Sequence, residues 1–326
     1  MFLGKNGSTL AENFVPKALV NAATAAVDSL KINSISEKTR RGRRVVVKCR
    51  NLAGEKMADL ANLYFFVTGI PIRFWSKVDN WRRWEIMCFK MLNGDRFHAV
   101  ASGKRTVIED KLPGKSIWDH MQEGTLNQRM LRAAANELRR AHQFWTDEFN
   151  GPWSHGDAST PNVIYNEKTD RARLIDFEIV HEKSLTARQR QADDLVVFLL
   201  DMVGLVSSQQ WLPFALCFLR HYGEAAVIAQ VKEQLCLPSG LAWIWWGVRT
   251  NFTDKAKVKS RLAKLRKAIP TLKIYAASRA RQSRRPSISC QVTRPGMPRA
   301  NSRTRAMRDK AKAASPGMPR RAPTIR

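Results

Sequence analysis

The chain has 326 residues and a formal net charge of +28, with 56 Lys and Arg against 28 Asp and Glu. A hydrophobic content of 44% supports a sizeable core and excludes a wholly disordered or fibrous chain. The charge is lopsided: residues 255–326 carry 22 Lys and Arg against one acid, Asp309, leaving 34 basic and 27 acidic side chains in the first 254 residues.

In chain order, residues 16–30 read as a helix of undetermined packing. The run Arg43-Arg44-Val45-Val46-Val47-Lys48 is a β-branched strand that ends in a lysine. Residues 81–94 have helical periodicity and stop at Gly94, a good residue to follow a helix. Glu85 lies on this helix. An apolar strand, a Pro113-Gly114 turn and a helix start follow over residues 106–117. Two helices are expected next, at 117–123 and 126–146, the second with Met130, Leu131, Ala134, Leu138, Ala141 and Phe144 at helical spacing. His142 on it reads as structural.

The most informative stretch then begins: His155-Gly156-Asp157-Ala158-Ser159-Thr160-Pro161-Asn162, with Asp176-Phe177-Glu178 downstream. Residues 163–165 and 173–175 read as two short strands around a polar turn at 166–170. Such a hairpin puts Asn162 and Asp176 at neighbouring strand ends, within reach of one ion. Residues 191–200 read as a buried helix, and residues 255–273 can continue as a helix with Val258, Leu262, Leu265 and Ile269 on one side. Beyond about residue 280 the chain is polar and basic, and is expected to be disordered. It repeats Pro-Gly-Met-Pro-Arg at 295–299 and 316–320, too few copies for a solenoid.

Five scattered cysteines (Cys49, Cys88, Cys217, Cys236 and Cys290) suggest neither a disulfide framework nor a thiolate metal site, and fit a reducing cytoplasm. No signal peptide is recognisable, and residues 195–206 are too short, and interrupted by Asp201, to span a bilayer. A cytoplasmic protein is expected, with peripheral contact at the inner membrane surface open to its basic end.

The pattern H-G-D-x-x-x-x-N followed by D-F-E resembles the aminoglycoside phosphotransferase and choline kinase group of the protein-kinase-like superfamily. Ordinary protein kinases read His-Arg-Asp in the loop and end the metal triplet in Gly. The resemblance implies an α+β, two-lobed protein-kinase-like fold with a small sheet-containing N-lobe at 30–112 and a mainly helical C-lobe at 113–254. A helical segment at 1–29 would precede them and a basic tail at 255–326 would follow. It further implies ATP and Mg²⁺, with Asp157 as catalytic base and Asn162 and Asp176 as metal ligands. Lys48 would hold the phosphates and pair with a helix glutamate, Glu85, with Glu55 as the rival. The adenine would lie against backbone near 109–112. Asp193 or Asp194 would bond the catalytic-loop backbone. Glu178, in place of the usual Gly, would add a carboxylate on the metal or substrate side.

One departure stands out. No glycine-rich loop precedes Lys48; only Gly42 is present, within the basic stretch 37–44. The expected function is ATP-dependent phosphoryl transfer to a hydroxyl of a small molecule, sugar or lipid-linked glycan. An atypical Ser/Thr protein kinase is the first alternative, disfavoured by Gly156 in the Arg position and by the lack of an Ala-Pro-Glu segment. The second is a non-catalytic pseudokinase that contacts nucleic acid or anionic membrane through residues 255–326.

Overall fold

A computed structural model describes residues 32–273. The expected helix at 16–30 and the basic stretch beyond 273 lie outside the described residues.

The chain opens with a hairpin, β1 (Ser34–Arg40) and β2 (Arg43–Cys49), in full antiparallel register from Ser34 opposite Cys49 to Arg40 opposite Arg43. Its two-residue turn, Arg41 and Gly42, has φ of 50° and 76°. Positive φ at both central positions is the hairpin turn whose twist matches the strands, and Gly42 takes it without side-chain strain. Helix α1 (Leu52–Thr68) is capped by Asn51, whose side chain accepts from the Gly54 amide at 2.7 Å. The short strand β3 (Ile72–Phe74) precedes helix α2 (Val78–Asn93). On α2, Trp81, Trp84, Glu85, Cys88, Phe89 and Leu92 are buried, so one helical stripe faces inward and carries a single acid. Strands β4 (Ala99–Ser102) and β5 (Thr106–Asp110) complete an antiparallel sheet in the order β1-β2-β5-β4.

The remainder is mainly helical. Strand β6 (Lys115–Ser116) leads into α3 (Ile117–Gln122) through a capping box in which Ser116 and Asp119 bond each other's backbone. Helix α4 (Gln128–Ala141) is shorter than the 126–146 expected. The apolar periodicity runs on to Phe144, but β7 (Trp145–Thr146) turns back to pair with β8 (Gly151–Pro152), and Trp153 donates its amide to the Phe144 carbonyl at 2.8 Å. The anticipated hairpin forms from β9 (Val163–Asn166) and β10 (Arg171–Leu174), with β6 on its other edge. Strand β11 (Ile179–His181) pairs with β3, tying the segment after Phe177 to the first part of the chain.

Helices α5 (Ala187–Leu205), α6 (Ser208–Tyr222), α7 (Ala225–Gln234), α8 (Ala242–Arg249) and α9 (Lys255–Ala268) follow. Twelve residues of α5 are buried, which makes it the spine of this half. Phe198 of α5 stacks on Phe218 of α6 with centroids 4.2 Å apart. Val258, Leu262 and Leu265 of α9 are buried, as is Ile269 after it, so the core extends past residue 254. Among the described residues no helix is long and apolar enough to cross a membrane.

Candidate active site

The register of the first sheet places the lysine. Lys48 lies opposite Val107 and Val46 opposite Glu109, so Val46, Lys48, Val107 and Glu109 share one face. Lys48 is buried, and its Nζ stands 2.5 Å from Glu85 Oε1, 3.0 Å from Asp176 Oδ1 and 3.5 Å from Glu109 Oε2. Burial alone would lower the ammonium's pKa; the charges of Asp176, Glu109 and Glu85 more than reverse this and hold it well above the usual lysine value. Glu109 is driven the other way, well above the carboxylate range, by burial, which outweighs the Lys48 charge. Of the two glutamates expected to compete for Lys48, Glu85 makes the contact; Glu55, in the first turn of α1, pairs with Arg105.

The loop that begins at His155 is held by α5. Asp194 accepts from the backbone amides of His155 at 2.7 Å and Gly156 at 2.9 Å, and meets His142 Nε2 at 2.9 Å. Its burial would raise its pKa, but the His142 bond and the His181, His142 and His155 charges bring it down to about 2. The other candidate, Asp193, instead meets His181 Nε2 at 3.1 Å. Gly156 has φ of 86°, and a Cβ there would fall 2.6 Å from the Ile179 carbonyl oxygen, so the loop passes too close to β11 for any side chain. His155 Nε2 lies 3.0 Å from the Ile175 carbonyl oxygen, linking the loop to the residue before Asp176.

Asn162 and Asp176 do lie at neighbouring strand ends: the Ile175 amide donates to the Asn162 carbonyl at 3.0 Å. The Asn162 side-chain amide donates to the Asp157 carbonyl at 3.0 Å and to Asp157 Oδ2 at 3.2 Å, leaving its Oδ1 on the other side. Asp176 sits at φ of 66°, a strained position for a non-glycine residue. Its pKa is lowered, because the Lys48 charge and hydrogen bond overcome the effect of burial. Asp157 is raised by burial, against the opposing charges of Arg249 and His155. Arg249 of α8 reaches the loop from outside it, with Nη2 3.2 Å from the Gly156 carbonyl oxygen and 3.7 Å from Asp157 Oδ1. Asp201 of α5 accepts from the Thr160 amide and hydroxyl at 2.6 and 2.9 Å.

Glu178 was expected on the metal or substrate side. One of its oxygens, Oε2, is taken by Asn33 Nδ2 at 2.5 Å and Arg50 Nη2 at 3.0 Å. The buried Arg50 also bonds Asn33 Oδ1 at 2.8 Å and the Trp75 carbonyl, and its guanidinium lies 4.5 Å over Trp81. Burial and the Asp176 charge push Glu178 up to about 8 despite Arg50. From the sequence, Glu109 is expected only as backbone beside the adenine and Asp201 only as an interruption of an apolar run, and nothing points to Arg249. Strand parity relative to Lys48 could have pointed to Glu109; no local signal marks the other two.

The residues fit a hard cation. Among the described residues Asn162 Oδ1 takes no hydrogen bond; the amide nitrogen is the end engaged by Asp157. Asp176 offers an ionised carboxylate, and oxygens of both kinds suit Mg²⁺. No group of three His, Cys, Asp or Glu side chains among the described residues forms a ready metal cage. Mg²⁺ in phosphoryl transfer is typically bound by one or two side chains together with the phosphates.

No protein-family model and no curated protein sequence matches the chain. Among solved structures it is similar to an ethanolamine kinase from Plasmodium vivax, with 11% identity, a TM-score of 0.43, and coverage of 74% of this chain and 80% of that one. It is also similar to a Mycobacterium tuberculosis protein solved in complex with erythromycin, with 16% identity, a TM-score of 0.32 and coverage of 72% and 71%. A bifunctional kinase-methyltransferase, WbdD, shows 16% identity and a TM-score of 0.34 over 68% of this chain, which spans 47% of that protein. What distinguishes the site is internal to this chain: a strand lysine paired with a helix glutamate, beside an Asp–Asn loop and a left-handed Asp. A small antiparallel sheet carries that lysine and a mainly helical part follows and carries that loop, which is the α+β architecture expected from the motifs.

Proposed function

We propose that the protein is an ATP-dependent phosphotransferase whose acceptor is a hydroxyl of a small molecule, sugar or lipid-linked glycan. The observation that supports it most is the buried contact of Lys48 with Glu85 and Asp176, next to the Asp157–Asn162 pair. Lys48 Nζ stands among three carboxylates, so negative charge exceeds positive there, and a Mg²⁺ carried in with the phosphates would redress the balance. In this reading the phosphates of ATP replace Asp176 at Lys48 Nζ and free its carboxylate for the metal. Bound Mg²⁺, held by Asn162 and Asp176, would neutralise charge on the phosphates. Asp157 accepts the proton of the attacking hydroxyl, and its raised pKa makes it a better base than an exposed Asp. Asn162 fixes the orientation of that carboxylate. Asp194 and Asp201 hold the loop's backbone so that the acceptor meets a fixed base.

Transfer to a small molecule is favoured over transfer to protein by Gly156, which leaves the loop without an arginine to answer a phosphorylated segment. The close approach of Gly156 to Ile179 leaves no room for one. Contact with nucleic acid or anionic membrane through residues 255–326, and with it a peripheral location, rests on charge, and a cytoplasmic location rests on the scattered cysteines. The test is transfer of radiolabelled γ-phosphate from ATP in a mixture of metabolites and in a mixture of proteins. Label in a small hydroxylated compound supports the proposal. Label in protein alone supports the protein-kinase alternative, and no ATP turnover at all supports the non-catalytic one.

A further inference from the structure

Helix α1 is apolar on two opposite sides. Gly54, Ala58 and Phe65 are buried against the fold. On the other side Leu52, Leu60, Leu63, Phe66 and Val67 are each more than half exposed, Phe66 at 84%. At about 100° per residue these side chains fall within about 120° of the helix circumference, so they form one stripe. Nine large apolar side chains are exposed among the described residues, and five of them are on this helix, which is not the ordinary scatter of single exposed hydrophobes. A sixth, Leu241, adjoins α1: its carbonyl accepts from the Tyr64 hydroxyl at 2.8 Å. Lys56 and Asp59 interrupt the stripe in its first half, but from Leu60 to Ile72 the chain carries no charged residue.

Charge decides what can cover this stripe. A second copy would bring +28 against +28, which opposes self-association. An acidic protein would need cations within the stripe to meet its carboxylates, and residues 60–72 have none. A layered partner, apolar inside and anionic at its surface, fits better, because the cations stand back from the stripe. Lys255, the first of the 22 Lys and Arg in residues 255–326, lies 5.3 Å over the ring of Trp243, two residues after Leu241. Helix α9 then exposes Lys257, Lys259, Lys264, Arg266 and Lys267. Trp243, half-buried between patch and cations, is of the type that settles where one end is apolar and the other wet.

We propose that the C-terminal half of α1, through Leu60, Leu63, Phe66 and Val67 and with Leu241 beside it, enters the apolar layer of an anionic membrane while α9 and the residues after it hold the membrane's charged surface. This rests on the anionic-membrane contact proposed above and gives that contact an apolar half. Helix α1 lies in the interface without crossing it; among the described residues no helix is long and apolar enough to cross. Neither signal suffices alone, because a few side chains at the lipid boundary bind weakly and reversibly and surface charge is screened by salt. Helix α8 links the docked face to the proposed site. Leu241 precedes it, and Arg249 at its end donates to the Gly156 carbonyl, about 12 Å further along the helix axis.

The experiment measures binding of the full-length protein to phosphatidylcholine vesicles with and without phosphatidylserine, and to a DNA duplex, a polyanion with no apolar layer to enter. The unaltered protein should bind the phosphatidylserine vesicles and the duplex. The double variant Leu63→Ser, Phe66→Ser should weaken vesicle binding by roughly tenfold or more and leave duplex binding within about twofold, since it removes apolar partition and no charge. Both side chains are exposed, so its unfolding transition should match that of the unaltered protein. Phe66→Trp, whose ring suits the interface, should keep vesicle binding. Phe66 should be oxidised by hydroxyl radicals in lipid-free protein and protected on the vesicles. Unchanged vesicle binding by the double variant would overturn the inference and leave contact by charge standing. Equal loss toward vesicles and duplex would overturn it as well. Protection of Phe66 without lipid would mean that a second copy or another segment of this chain covers the stripe, and would likewise overturn it. Failure of the unaltered protein to bind phosphatidylserine vesicles would overturn the membrane contact and this inference with it, and would leave the phosphotransferase reading untouched.

Discussion

Glu85 joins two parts of the site through one carboxylate: Oε1 stands 2.5 Å from Lys48 Nζ, and Oε2 accepts the backbone amide of Phe177 at 3.0 Å. The lysine of the sheet and the residue after Asp176 are therefore positioned by the same side chain. Movement of α2 would shift both at once.

Glu85→Gln keeps an acceptor for the Phe177 amide but loses the charge opposite Lys48. Glu85→Ala loses both and leaves that amide buried and unpaired. The alanine variant should be the less stable by about 1–3 kcal/mol, the cost of one unsatisfied buried donor. Chemical denaturation of the two variants measures the difference. Equal stability would mean that the Phe177 bond contributes nothing.

Asp176→Ala should abolish Mg²⁺-dependent binding of ATP, because the carboxylate is the charged member of the proposed ligand pair. Asn162→Ala should weaken binding less, since a neutral amide oxygen gives less to a cation. Titration calorimetry with and without Mg²⁺ ranks the two. A larger effect of Asn162→Ala would reverse the division of roles.

Asp201 gives a pH prediction. Burial pushes its carboxyl up to about 7, against the bond from the Thr160 amide and with the charge of Asp157 adding to the rise. Its native value lies above an unfolded value of about 3.9, so the native state holds the proton more tightly. This contribution to stability is complete below about pH 4 and is lost as pH rises through about 7. Asp201→Asn, which retains an acceptor for Thr160, should gain stability relative to the unaltered protein over that interval. Urea denaturation at several pH values tests this, and a difference that stays constant with pH would refute it.

Truncation after Lys273 should leave a folded, monodisperse protein. Val258, Leu262, Leu265 and Ile269 are buried, and full burial of such side chains is worth about 1.5–3 kcal/mol each, so a cut before α9 should be far more damaging. Polyanion or anionic-vesicle binding by the full chain should be salt-dependent and should fall sharply on truncation. Binding that survives would relocate the basic site to residues 40–44 or to Arg82 and Arg83.

The spacing of Asp157, Asn162 and Asp176 was legible because a local hairpin, β9 and β10, brings them together over few residues. Glu85 is favoured over Glu55 by its place on an amphipathic helix, but both lie after Lys48 and only packing shows that Glu55 turns to Arg105. Asp193 and Asp194 are neighbours on α5, about 100° apart around the helix, and only the position of the loop decides between them. The pairing of β11 with β3 escaped notice because two three-residue strands far apart in sequence carry no periodic signal. Arg249 left none either: a single cation ending a Trp-rich helix, 92 residues after Asp157, looks like an ordinary surface residue. Helix α4 was read too long because Phe144 keeps the apolar spacing after the backbone has turned away.

The central claim is that Asp157 is the base of an ATP-dependent transfer. It is tested most directly by Mg²⁺-dependent turnover of γ-labelled ATP in the full-length protein and in Asp157→Asn. The account predicts that the variant folds and binds Mg-ATP nearly as before, while turnover falls by about 10²-fold or more, within the range for loss of a general base. Turnover within a factor of about two of the unaltered protein, where loss of a general base should cost far more, would contradict it.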